Sequence, residues 1–543
     1  MDLLRKIDQK VAITPRPGSY SKDTRWSNPD LDPVPKEQRT WRMRDLTFYW
    51  MSDALAGGSW STGASLITLG FTARTAIPIA FCSYFLVSLP SALTGRIGTF
   101  THTPFPVNIR ASFGPWGSVV PILARMIIGL VWMFVQTYLG GTYVTILLSG
   151  IWPSYNRIPN KLPASAGIES KELLSVFIFW CIQSPLVVMP VRKLRYLFLV
   201  KAIIVPICYF GIFIWAMNAT KGGDTPYIRG RSTGSGWAVL QAINALAGGA
   251  SAVETNAADF SRYMKHGSGN FWQILWIPIT NTLPIVVATL ATGAAQAKYG
   301  VYEWNAADLF LLWNNRAAQV FCAAAFILSN IGINISANAV AFSNDLTSLC
   351  PRYFNNFRSS ALCAILSFAA CPWLIVQNAP ALLNFLGSYA CFLSGIAAIM
   401  IADFYLVRRG RVDMREYYNF PGGIYWYWFG FNWRAIAAWV VSFAPNLPGL
   451  IHGVNAGIPN VQPYTYYFSW LFGTAVSVAV YMLINYFFSP KASLIDYTLY
   501  EDDFIVSENN DLEAAAEGEL RQERSATEKQ GEETIVAVPV IKD

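Results

Sequence analysis

The chain has 543 residues, of which 53% are hydrophobic and only 13% charged, with a formal net charge of +7 and a mean hydropathy of +0.34. Soluble globular proteins carry roughly 25% charged residues, so about half the usual charge is missing and a membrane protein is indicated. The Lys and Arg are scattered among short loops without a dense patch, which excludes a nucleic-acid partner, and three His with no HExxH, nucleophile elbow or phosphate loop argue against an enzyme.

Residues 1–45 are polar and carry both charge signs, ending in Arg39, Arg42 and Arg44; they read as a flexible N-terminal tail without a signal peptide. Apolar stretches then recur at 46–72, 77–95, 117–149, 171–190, 196–217, 236–258, 271–293, 317–346, 360–377, 380–407, 434–453 and 466–488, numbered here as segments 1 to 12. Each is close to the ~20 residues that cross a ~30 Å hydrocarbon core. They make an all-α, twelve-helix transmembrane domain over residues 46–489. Hydropathy collapses after Pro490, so 490–543 reads as a disordered acidic tail. Its Lys529 and Lys542 suit contacts with a ubiquitin-ligase adaptor as well as they suit a plain solubilising tail.

Short-loop cations fall on alternating connections: Arg96 and Arg110, then Arg192, Lys193 and Arg195, then Arg262 and Lys265, Arg352 and Arg358, and Arg408 to Arg415. The positive-inside rule puts these loops and both tails in the cytoplasm. Seven of the eight cysteines sit in apolar stretches without CxxC spacing, so they read as buried filler, with no metal or cofactor implied.

Two segments are unlike ordinary spans. Segment 1 contains MSDALAGGSWSTGAS and segment 6 contains NALAGGASAVETNAADFSR, each with a Gly-Gly pair beside an acid, Asp53 or Glu254. Charge at mid-bilayer costs about 2.5–3.5 kcal/mol, and loosened backbone must find polar partners. Two such segments, five apart, point to a transporter of inverted repeats whose broken helices bracket solute and coupling ion. Close helix packing at small residues is the simpler explanation of either pair alone. No filter sequence or pore-lining ring points to a channel.

Trp132 and Gln136 in segment 3 share one helical face, where an indole and an amide can stack on and hydrogen-bond a flat heterocycle, or simply pack. Arg125 lies two turns earlier and is expected to pair with a carboxylate or helix carbonyls. Asn330, Asn334 and Asn338 form a stripe on segment 8 that must face inward; some would join helices, and at least one is expected to meet the solute.

Five stretches together resemble nucleobase–cation symporter family one: N-I-S-A-N in segment 8, DFSRY closing segment 6, the Trp–Gln pair, LLNFLGSYACFLSGIAAIMIADFYLVRRG, and NPDLDPVPKEQRTW before segment 1. The likeness covers about residues 28–490 and is strongest to the fungal uracil, uridine, allantoin, thiamine and nicotinamide riboside permeases. It implies a leucine-transporter-type fold, five plus five helices in inverted repeat followed by two more, in the plasma membrane. It also implies that Trp132 stacks on the solute, that Gln136 and Asn338 hydrogen-bond it, and that an unwound stretch, Gly248, Gly249 and Ala250, lines the same pocket. A bacterial relative has a second stacking Trp where this chain has Ala250. The hydroxyls of its sodium site fall on Gly332 and Ile333 here, which disfavours sodium and favours protons. Asp53 and Glu254 are the expected proton carriers. The expected function is import of a nucleobase or related heterocycle by proton symport; a vitamin or nucleoside permease and a non-transporting nutrient sensor are the alternatives.

Overall fold

The computed structural model describes residues 8, 10–14, 25–369, 371–374, 379–455 and 464–499. Lys529 and Lys542 lie outside the described residues. Among the described residues the regular elements are helices, and eight are long and apolar enough to cross a membrane: Ala73–Thr101, Val119–Ile151, Tyr196–Ala219, Gly267–Tyr299, Arg316–Leu349, Pro380–Val407, Trp433–Val454 and Tyr466–Phe487. These correspond to segments 2, 3, 5, 7, 8, 10, 11 and 12.

The other four segments depart from a plain apolar rod, each for a local reason. Segment 1 begins at Met43, where the Asp45 carboxylate accepts the Arg42 backbone N–H at 2.9 Å and caps the first turn. It runs as Met43–Ala54, breaks at Leu55 and Ala56, and resumes as Gly57–Ser65. Segment 4 is Ser170–Val187. Segment 6 is one unbroken helix, Gly236–Ser261, so the unwinding expected at Gly248 to Ala250 does not occur. Segment 9 is a short helix, Asn356–Leu366, ending well before the expected residue 377. Segment 8 changes winding midway, with a π-helical turn Asn334–Ala339 between Arg316–Ile333 and Val340–Leu349. Such turns are rare and gather at functional sites.

Segment 2 packs along segments 6 and 7, and segment 7 along both halves of segment 1. Segments 3, 4, 8 and 9 pack on one another as a second body, segment 10 lies along 6 and 12, and segment 11 along 12.

Two expected tails are partly corrected. Residues 25–42 are not a free tail but a strap: Asn28 donates to the carbonyls of Pro351 and Phe354 at 2.7 and 3.0 Å, Arg262 donates to the Asp30 carbonyl at 2.9 Å, and Leu31 is fully buried. Residues 490–499 also belong to the folded part. Arg408 donates to the Ser493 carbonyl at 2.6 Å, and Leu499 exchanges backbone hydrogen bonds with Val412 and Met414.

Candidate functional site

The break in segment 1 leaves backbone groups that no helix satisfies, and its neighbours supply the partners. The Ser329 hydroxyl donates to the Leu55 carbonyl, the Tyr209 hydroxyl donates to the Ala56 carbonyl at 3.2 Å, and the Gly57 N–H donates to Asn330 Oδ1 at 3.2 Å. Inside a bilayer this completeness is what makes a broken helix tolerable. Gly57 and Gly58 sit close against neighbouring side-chain ends. A Cβ on Gly57 would lie 2.6 Å from the Tyr143 hydroxyl, and one on Gly58 would lie 2.8 Å from Gln136 Nε2.

Beside the break lies a narrow cavity. Segment 1 supplies Asp53, Gly58 and Ser59; segment 3 supplies Trp132 and Gln136; segment 6 supplies Gly249 and Ala250; segment 8 supplies Asn338. Trp132 is oriented by its indole N–H, which donates to the Tyr389 hydroxyl at 3.2 Å. Asn338 donates to Asn334 Oδ1 at 2.9 Å, leaving its own carboxamide oxygen for the cavity. The Gln136 oxygen is buried without a hydrogen-bond partner.

The asparagine stripe divides as its spacing allows. Asn330 holds the break and the Gln136 carbonyl, while Asn334 donates to Met133 O, Thr137 Oγ1 and Gln183 Oε1, so both join helices. Only Asn338 of the three lines the cavity.

Two expected site residues lie elsewhere. Gly248 faces segment 10, where a Cβ would come within 2.5 Å of the Leu386 carbonyl; this glycine serves close packing, not a bent backbone. Glu254 is buried against segment 12 and accepts the Trp470 indole N–H at 2.9 Å, away from the cavity wall. Asp53 does reach the cavity, with one oxygen accepting the Ser336 hydroxyl at 3.2 Å.

The sequence reading passed over Lys201. It is fully buried on segment 5, its ammonium makes no hydrogen bond, and Asp53 is its main electrostatic partner. Its stem fills the space that a side chain at residue 332 would need, since a Cβ on Gly332 would sit 2.5 Å from Lys201 Cδ and 3.1 Å from Nζ. The available signal was a lone cation five residues inside a 22-residue apolar window. Further toward the strap, Arg125 donates to Asp345 at 2.8 Å and to Asp259 at 2.8 Å, meeting the expectation of carboxylate partners.

A polar, stacking cavity at a broken helix, walled by two helix bodies, is the architecture of a membrane solute carrier. The profile of the family described as permeases for cytosine/purines, uracil, thiamine and allantoin matches residues 33–473. Relatives include an allantoin permease and a uracil permease of Saccharomyces cerevisiae, each 31% identical, over 87% and 85% of this chain and 78% and 76% of theirs. Among solved structures, the fold matches Mhp1, a nucleobase-cation-symport-1 family transporter in a closed conformation with bromovinylhydantoin bound. That match has a TM-score of 0.68 at 20% identity and covers 85% of this chain and 97% of Mhp1. The chain belongs to this family of permeases.

Proposed function

We propose that the protein is a secondary transporter importing a nucleobase or related heterocycle by proton symport. The observation that carries this is the convergence of Trp132, Gln136 and Asn338, from two different segments, on one cavity beside the broken helix. A flat ring stacked on Trp132 would accept from or donate to both amides, and each unmatched amide would penalise a ring lacking the complementary edge. The small residues Gly249 and Ala250 leave the opposite wall open to rings of different width.

Coupling is assigned to Asp53 and Lys201. The resemblance places a sodium ligand at residue 332; glycine there offers no oxygen, and the lysine stem takes the space. A fixed cation beside Asp53 stands in for a mobile metal ion, and proton exchange on this pair would control closure. Glu254, a second acid without a cationic partner among the described residues, is the other proton carrier in this scheme. One pH unit is worth about 1.36 kcal/mol and 100 mV about 2.3 kcal/mol per charge, together enough for roughly several hundred-fold accumulation.

The scheme uses twelve spans over residues 46–489, built as a five-plus-five inverted repeat with two further helices. It puts both termini in the cytoplasm and the protein in the plasma membrane, with the tails open to a ubiquitin-ligase adaptor. Uptake of radiolabelled uracil, allantoin, uridine, thiamine and nicotinamide riboside in transporter-null yeast, with and without a protonophore, is the test. Saturable, protonophore-sensitive uptake of one compound is expected; uptake of none overturns the reading.

A further inference from the structure

The cavity does not end at the stacking wall. It continues between segments 1, 2, 6 and 7, where Tyr84, Asn281 and Asp53 line it. Three polar atoms there make no hydrogen bond among the described residues, although the charge of one of them, on Asp53, is answered by Lys201. Tyr84 is 6% exposed and its hydroxyl makes no hydrogen bond, although Asp53 and Tyr389 are both within electrostatic reach. The Asn281 Nδ2 donates to the Ile277 carbonyl at 3.0 Å. A carbonyl can only accept, so this bond fixes which end of the amide donates and leaves Oδ1 as the free acceptor of a residue that lines the cavity. The second oxygen of Asp53 is likewise unused, since only the first accepts from Ser336.

Unsatisfied polar atoms in a buried wall are costly unless a ligand or water meets them. This wall is rich in acceptors: an amide oxygen, a carboxylate oxygen, and a hydroxyl that can act either way. We propose that it is a second subsite, taking a short N–H-rich arm on the ring, so that the preferred solute is a heterocycle of the ureido-substituted class and not a bare ring. This rests on the assignment of Trp132, Gln136 and Asn338 as the ring site.

Hydantoin and allantoin, which is hydantoin bearing a ureido arm, form a matched pair of probes. Their dissociation constants would be measured on the purified transporter, with uracil as a third ligand. The full chain is expected to bind allantoin at least about tenfold tighter than hydantoin. Tyr84→Phe and Asn281→Leu should each reduce that ratio about fivefold, as for one lost hydrogen bond, with hydantoin binding unchanged as the control for folding. Equal affinity for the two rings, or a ratio preserved in both variants, overturns the subsite and leaves the ring site standing. A variant that weakens both rings equally also overturns it, because the arm is then not what these residues read. Failure of hydantoin, allantoin and uracil alike to bind removes the ring site, and the subsite with it.

Discussion

A lysine ammonium buried in a bilayer protein persists only where a nearby charge answers it. For Lys201 that charge is Asp53, and Asp53 in turn has one hydroxyl, Ser336, besides the lysine. Removing either charge leaves the other less well compensated inside the protein. Lys201→Met should therefore lower the thermal stability of the detergent-purified protein and abolish protonophore-sensitive accumulation. Adding Asp53→Asn to it should restore most of the stability without restoring accumulation. A double variant no more stable than the single would show that the two groups are not each other's partners. At the solute wall, stacking on an aromatic ring contributes about 1–3 kcal/mol, so Trp132→Ala should raise KM roughly 5- to 150-fold while Trp132→Phe retains most of the affinity. Concentration-dependent uptake measures both. Helical spacing puts Trp132 and Gln136 on one face of segment 3 and Asn330, Asn334 and Asn338 on one face of segment 8, but it is the family resemblance that singles out Trp132, Gln136 and Asn338 for the solute. Lys201 could not be read from spacing, because its meaning depends on a glycine 131 positions later that makes room for it.

At the scale of whole helices, the same dipeptide does two jobs. In segment 1 Gly57 and Gly58 follow a true break, because Ser329, Tyr209 and Asn330 stand ready to take the freed backbone groups. In segment 6 no such partners surround Gly248 among the described residues, so the helix stays closed and the glycine admits the Leu386 carbonyl. Sequence alone displays both Gly-Gly pairs identically; what separates them is the polar lining contributed by distant segments. The two glycines of segment 6 also differ from each other. A Cβ at 248 would meet backbone at 2.5 Å, whereas one at 249 would touch the Leu386 side chain at 3.4 Å, an ordinary contact. Gly248→Ala should force segments 6 and 10 apart at a cost of about 1–3 kcal/mol, read as a fall in melting temperature and surface expression. Gly249→Ala should leave both near wild type and alter only KM, since residue 249 lines the cavity. Segment boundaries were legible to within a few residues wherever hydropathy alone set them, and least so at segment 9, where the helix stops at Leu366.

Across the whole molecule, the cavity lies between two packed bodies, segments 1, 2, 6 and 7 against segments 3, 4, 8 and 9. For solute to leave on the strap side these bodies must part there, and Arg125 is a charged tie between them, beside the Asn256 amide that donates to the Ala337 carbonyl at 2.9 Å. It stands on segment 3 and holds Asp345 of segment 8 within its own body, while reaching across to Asp259 and Asn256 of segment 6. The carboxylates are therefore not equivalent. Asp259→Asn removes the charge on the crossing contact but leaves Arg125 its in-body partner, so the fold should survive while the closed state is weakened. Asp345→Asn strips the second body of its own anion and should lower stability more. The other oxygen of Asp259 accepts the Phe105 N–H at 3.0 Å, an attachment that asparagine's carboxamide oxygen can keep. The resulting shift can be followed at Ser343, which borders a cavity beneath the strap together with Asp30 and Gln38. With Ser343→Cys as reporter in otherwise cysteine-free protein, a membrane-impermeant maleimide should label inside-out vesicles faster when Asp259→Asn is added, and concentrative uptake should fall. Unchanged labelling with intact uptake would mean that the Arg125 contact to segment 6 supports packing and does not hold the two bodies closed.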